Sequence, residues 1–181
     1  MLEHIKQQLQ SRNDAPDDKG ELLAFLDRLT KGGDRQMVDL KKIAEEGYFH
    51  PATKGSNSIK KVLPAVLSSS DHLKARYSQP LYGAQDGILS KNYHGIAWWQ
   101  PDQDGKPRDP YKILRDIKSE TPEVSGIAEG GEAAMAYAKL QNEGLNDHKR
   151  KEIEASLKRY CELDTLAMAM IAEAWKLEII D

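Results

Sequence analysis

The spacing of apolar residues predicts a mainly α-helical chain with a few short strands. Three observations carry this. Leu22, Leu23, Leu26 and Leu29, joined by Phe25, follow the helical period. Ile59, Val62, Leu63, Val66 and Leu67 form one broad apolar face. From Asn146 onward the same period continues to about Glu178, far beyond an ordinary helix.

In chain order, residues 1–11 read as a helix with Leu2, Ile5 and Leu9 on one side. The polar stretch from Asn13 through Ala15 and Pro16 to Gly20 breaks it. A second helix over 21–30 ends at Lys31-Gly32-Gly33-Asp34. Residues 36–40 fit either a short buried strand or the first turn of a helix that runs to Glu46 and stops at Gly47. Tyr48-Phe49-His50 is extended because the residue before Pro51 avoids the helical region. Ser58 is positioned to cap the 59–67 helix, which Pro64 should kink or shorten. Residues 68–127 show little helical periodicity except at 73–77 and 111–117. There Ile96-Ala97-Trp98-Trp99-Gln100 is flanked by turn formers, and Asp104-Gly105 can return a hairpin. Asp102-x-Asp104-Gly105 resembles a calcium loop only superficially, since its Gly comes too early and no Glu follows at the required offset. A helix over 129–143 carries Ala133, Ala134, Ala136 and Ala138, small residues that let another backbone approach. The 181 residues suit an N-terminal helical segment over 1–33 and a unit over 34–181, together one incomplete domain.

Composition narrows the function. Lys+Arg total 26 against 29 Asp+Glu, a net charge of -3, so any hold on nucleic acid must be local rather than a property of the whole surface. Apolar runs fall short of the ~20 residues of a membrane span, and no charged-then-apolar leader opens the chain. The lone Cys161 excludes an internal disulfide and a four-cysteine zinc site, and points to a reducing cytoplasm. No two of the five histidines have the i, i+4 spacing of a helical zinc site.

One residue is out of place. On a wheel of about 100° per residue, Ile153, Leu157, Ile171 and Trp175 fall within about 20° of Asp164, and Tyr160 and Met168 within about 40°. Asp164 is therefore expected at the centre of an apolar stripe, where a carboxylate is costly unless paired, hydrogen-bonded or metal-bound. It could cap a helix restart at Asp-Thr, form a buried ion pair, or ligate a metal. Tyr160, one turn earlier on the same face, can address the same site.

Several phrases occur together. They are Val38-Asp39-Leu40, Tyr48-Phe49-His50-Pro51, and Gly55-Ser56-Asn57-Ser58-Ile59-Lys60-Lys61-Val62-Leu63-Pro64. Asp109-Pro110-Tyr111-Lys112, Gly130-Gly131-Glu132-Ala133-Ala134 and Tyr160-Cys161-Glu162-Leu163-Asp164-Thr165 follow. In this order they resemble the C-terminal part of an uncharacterised bacterial nuclease-like family. That family is similar to tyrosine-type DEDD 3′–5′ exonucleases of the ribonuclease H-like superfamily. The resemblance implies the C-terminal half of an α/β nuclease domain lacking its first sheet strands. It implies phosphodiester hydrolysis with two divalent metals, Mg or Mn, held by four carboxylates. Asp164 would be a catalytic metal ligand, Tyr160 would position the attacking water, and Ser56, Ser58 and Lys60 would lie near a single nucleic-acid strand.

The first acidic motif of such enzymes, Asp-x-Glu, is absent from residues 1–37. The chain is therefore expected to hydrolyse nothing alone, and to bind metal only if the missing acidic motifs are supplied. Its expected partners are that N-terminal nuclease portion, single-stranded nucleic acid and, through an unpaired strand edge, a second copy. The alternative is a non-catalytic helical interaction module on the same scaffold, with Trp98-Trp99 and the alanine face as contact surfaces.

Overall fold

The computed structural model describes residues 2–12, 14, 16–30, 32–117, 127–141 and 144–180. Asn13, Ala15, Lys31 and Glu143, named in the turns and helix end above, lie outside them. The chain is mainly helical, and the contacts divide it into two compact units, Met1–Leu40 and Lys41–Asp181. Among the described residues, no helix is long and apolar enough to cross a membrane.

The first unit is a pair of packed helices, α1 (Leu2–Ser11) and α2 (Lys19–Leu29). Lys6 of α1 pairs with Asp27 of α2, and the Lys19 ammonium donates to the carbonyls of Gln10 and Arg12 at the end of α1. Leu26 is buried, whereas Ile5, Leu22 and Phe25 stay exposed. Residues 36–39 form neither a buried strand nor a helix: Met37 and Val38 are exposed. The reason is local, because the Arg35 and Met37 amides bond back to the Arg28 and Leu29 carbonyls and wrap the segment around the end of α2.

The second unit is built on one helix. It comprises α3 (Leu40–Gly47), a single 3-10 turn (Pro51–Thr53), α4 (Ile59–Ser69), α5 (Asp71–Tyr77), α6 (Pro110–Asp116), α7 (Gly130–Leu140) and α8 (Asp147–Ile180). Asn146 starts α8 by accepting the Lys149 amide at 2.8 Å. Helices α4, α5, α6 and α7 all pack on α8. Pro64 does not shorten α4, which continues past it to Ser69 with Val62, Leu63, Ala65, Val66 and Leu67 buried. Ser70 then ends α4 and caps α5. Asp109 and Pro110 open α6 as cap and first-turn proline, and Glu129 and Glu132 close a capping box on α7.

The short strands of the expectation are reduced to isolated bridges, Tyr82 with Ile88 and Ile96, and Pro101 with Pro107, with no sheet among the described residues. Residues 78–109 turn too often to extend a ladder. Gly83 shows why: its φ is +79°, and an added Cβ would lie 2.0 Å from the Tyr93 carbonyl oxygen. Asp102-x-Asp104-Gly105 is a turn, as expected, with the Asp102 carboxylate accepting the amides of Asp104 and Lys106 at 2.9 Å each.

This irregular segment is secured by aromatic packing and by α8. Trp98 is fully buried, edge-on to Tyr93 at 5.0 Å and to Tyr82 at 6.0 Å. Trp99 is 9% exposed and donates to the Leu67 carbonyl at 3.0 Å. The tryptophan pair is therefore core and not a contact surface. On α7, Ala136 is buried and Ala133 half-buried, while Ala134 and Ala138 face outward.

Three carboxylates of α8 accept tyrosine hydroxyls from the surrounding segments. Glu162 takes Tyr82 at 2.9 Å, together with Ser90 and Asn92. Asp164 takes Tyr111 at 2.5 Å. Glu173 takes Tyr77 at 3.3 Å and pairs with His72 at 2.6 Å and Arg76 at 3.2 Å. Replacing Glu162 by Ala leaves three donors without their acceptor. The expected loss is about 3 kcal/mol in urea unfolding, with faster amide exchange confined first to residues 81–96. Exchange rising equally throughout the unit would show that Glu162 does not specifically hold this segment.

Candidate functional site

The site begins with the geometry of α8. Its buried residues are Ile153, Ser156, Tyr160, Leu163, Leu166, Ala167, Met170, Ile171, Ala174 and Trp175. On the wheel their centre lies roughly 70° from Asp164. The carboxylate therefore occupies the rim of the stripe and is half-buried, not central. Leu163, Ala167, Met170 and Ala174 shift the centre away from it. Met168, on the far side of Asp164, is accordingly 44% exposed. The helix runs unbroken through Asp164, which rules out a cap at a helix restart. Asp164 accepts the Tyr111 hydroxyl and lies within reach of that of Tyr160; no arginine or lysine pairs with it among the described residues.

Four elements meet at this rim. The first turn of α6 supplies Tyr111, and α8 supplies Tyr160 and Asp164. The two rings lie 6.3 Å apart at 54°. The first turn of α4 supplies Lys60, whose ammonium stands 4.9 Å from the Tyr111 centroid and 5.7 Å from that of Tyr160. The same ammonium donates to the Ala128 carbonyl at 2.5 Å, just before the capping box of α7. A Cβ on Gly130 would come within 3.9 Å of the Tyr160 hydroxyl, so the α7 N-terminus borders the cluster.

Of the residues singled out in the sequence, Lys60, Tyr160 and Asp164 are thus brought into one cluster. Ser56 and Ser58 stand beside it in sequence but make local contacts. The Ser56 hydroxyl accepts the Ser58 amide at 3.3 Å. Ser58 occupies the N-cap of α4 and accepts the Lys61 and Val62 amides through its carbonyl, without a side-chain cap bond.

Both tyrosines are held in their protonated form. Burial pushes the Tyr160 hydroxyl up to about 12, and the Asp164 charge adds to it. Burial, then the hydrogen bond to Asp164, pushes Tyr111 upward as well. At neutral pH each hydroxyl is a donor, not a base. Asp164 has no company of metal-ligating groups: among the described residues, no three His, Cys, Asp or Glu side chains are grouped to hold a metal. A lone carboxylate already accepting a hydroxyl does not fit a two-metal centre, and no metal-dependent step is assigned to these residues alone.

Lys60 also belongs to an open cleft of about 830 Å³ between the start of α4, the 102–109 turn and the start of α6. Lys60, Lys61, Lys106, Arg108 and Lys112 line it, against Asp102 and Asp109. Both acids are engaged by backbone amides, Asp109 accepting that of Tyr111 at 3.0 Å. Arg108 pairs with Asp116 and donates to Gln100 at 3.1 Å. Lys61, Lys106 and Lys112 reach solvent at its edge. The net-negative chain thus carries a local cationic surface. Sequence reasoning found Lys60 but missed the other four cations. Their signals, a Lys60-Lys61 doublet and a Lys106-x-Arg108 pair, are weak until the fold joins them. Comparison with protein-family models, with curated proteins and with solved structures yields no match.

The tyrosines give the site a pH dependence. An unfolded phenol releases its proton near 10, whereas folded Tyr160 keeps it until about 12. Between those values the folded state binds more protons, so stability should be full below about 10 and fall as pH rises toward 12. Asp164→Asn removes the neighbouring negative charge and should lower the Tyr160 midpoint in an ultraviolet difference titration, with Tyr160→Phe identifying the transition. An unmoved midpoint in the Asn variant would disprove the coupling.

Proposed function

We propose that this chain is the C-terminal portion of a DEDD-type, ribonuclease H-like nuclease domain that grips a single nucleic-acid strand. Tyr160 and Asp164 are its share of a metal-dependent hydrolytic centre. The supporting observation is the place of Lys60. It lines the cationic cleft and stands over Tyr111 and Tyr160, beside the carboxylate that Tyr111 binds. A phosphate chain neutralised by Lys61, Lys106 and Lys112 would pass Lys60 on its way to Asp164.

The chain's own residues then bind and orient. The cleft cations hold phosphates by charge. The protonated Tyr160 hydroxyl donates to an oxygen at the reacting end, and Tyr111 keeps Asp164 in place. Asp164 would hold magnesium or manganese only together with carboxylates that this site does not supply, and Lewis-acid activation of water would be the chemistry gained. Both ions need several charged oxygens, so the remaining carboxylates would come from a segment outside this chain.

A second reading has its own observation. Asp164 accepts a tyrosine in the same manner as Glu162 and Glu173, which suits a structural acceptor in a non-catalytic helical interaction module.

Fluorescence anisotropy of a labelled single-stranded oligonucleotide at increasing salt separates the two. The nuclease reading expects saturable binding with a falling log K against log salt. Charge reversal at Lys61 and Lys112 should flatten the slope by about 0.7 for each phosphate that is no longer neutralised. It also expects no degradation by the chain alone with Mg or Mn. Degradation that disappears in Asp164→Asn would overturn the need for outside carboxylates. Silence in the titration would favour the module.

A further inference from the structure

Beside the cationic cleft lies a second cavity of about 500 Å³, bordered by the end of α3 and the turn that follows it. The two share His50 and Pro51 as walls. What distinguishes the second is its aromatic content. His50 is extended, at φ -138° and ψ 131°, as a residue before proline should be. Tyr48, Phe49 and His50 all border the cavity. The Tyr48 and His50 rings lie 6.3 Å apart and 6° from parallel. Phe49, at the cavity rim, is 87% exposed.

The pocket is also polar at its edges. The His50 Nδ1 accepts the Ala52 amide at 3.2 Å, which leaves the proton of a neutral ring on Nε2 as a donor. Tyr48 is braced from behind by Trp175, with centroids 5.2 Å apart. Asn57 offers an amide with both a donor and an acceptor.

We propose that this pocket receives an unpaired nucleobase of the strand whose phosphates lie in the neighbouring cleft, with Phe49 as the stacking surface. The inference rests on reading the ligand as a single nucleic-acid strand. A cationic groove that tracks a backbone, with aromatic rings beside it, is the arrangement by which single strands are held without sequence preference. A polyanion lacking bases would use the cleft and leave the aromatic pocket idle. An apolar peptide would use the pocket and leave the exposed Lys61, Lys106 and Lys112 idle. A base-bearing strand uses both.

The test compares two labelled oligomers of equal length by anisotropy, one carrying bases and one abasic. Phe49→Ala should weaken the base-bearing oligomer roughly tenfold and leave the abasic one unchanged. Phe49→Trp should restore binding. Lys61→Glu should weaken both oligomers. Phe49 is exposed, so its replacement is expected to leave the thermal unfolding midpoint unaltered. If Phe49→Ala changes neither oligomer, or weakens both equally, while Lys61→Glu still acts, the base pocket is refuted and the cleft stands. If the wild-type chain binds neither oligomer, the single-strand reading itself fails and the pocket proposal goes with it.

Discussion

The second unit depends on the satisfaction of carboxylates along one uninterrupted helix. Glu162, Asp164 and Glu173 sit on α8 close to its buried stripe, where an unpartnered charge would be expensive. Each is matched by a tyrosine from a different segment: Tyr82, Tyr111 and Tyr77. A tyrosine brings a large apolar ring to the core and a donor to the carboxylate, so one residue serves both needs. The irregular segment at 78–109 has no sheet to define it; Tyr82 ties it to α8, and Tyr77 and Tyr111 fix the helices at its two ends. The Tyr93 hydroxyl adds a fourth tie, to the Arg159 carbonyl at 2.7 Å.

The same arrangement shapes the candidate site. Because Asp164 lies at the rim, it can accept Tyr111 from the start of α6, directly after the cationic turn. Lys60 closes the gap from α4, held between two rings and the Ala128 carbonyl. A hydroxyl held protonated next to a carboxylate is suited to positioning an oxygen and unsuited to removing a proton. This chemistry is compatible with a share in hydrolysis and with a purely structural acceptor. The cationic cleft is the feature that the proposed strand-binding reading uses and a structural acceptor does not.

Local order was readable from local sequence. The leucine spacing of α2, the apolar face of α4, the Asn146 start of α8 and the Asp102 turn follow from backbone periodicity and short-range hydrogen bonding. The failures are equally physical. Residues 36–40 fit a buried strand or the first turn of a helix to Glu46; the helix forms but begins only at Leu40, because the Met37 amide is taken by the Leu29 carbonyl at the end of α2. Trp98 and Trp99 would be a contact surface only in the interaction-module alternative; ordinary packing, the commoner fate of aromatics, is what occurs, with tyrosines and α4 enclosing them. The wheel placed Asp164 by its apolar neighbours alone and missed Leu163 and Ala167, which carry the deeper face.

The sequence by itself determined that the chain is helical, where most helices begin and end, and that Asp164 and Tyr160 share a face. Each of these is set by residues within a turn or two of one another. Only the tertiary structure decided that Tyr111, 53 residues away, holds Asp164, and that Lys60 reaches Ala128 across 68. It alone joined Lys60-Lys61 to Lys106, Arg108 and Lys112 in one cleft. Pairings over such separations have no local signature, because they arise only when helices with matching apolar faces close on a common core.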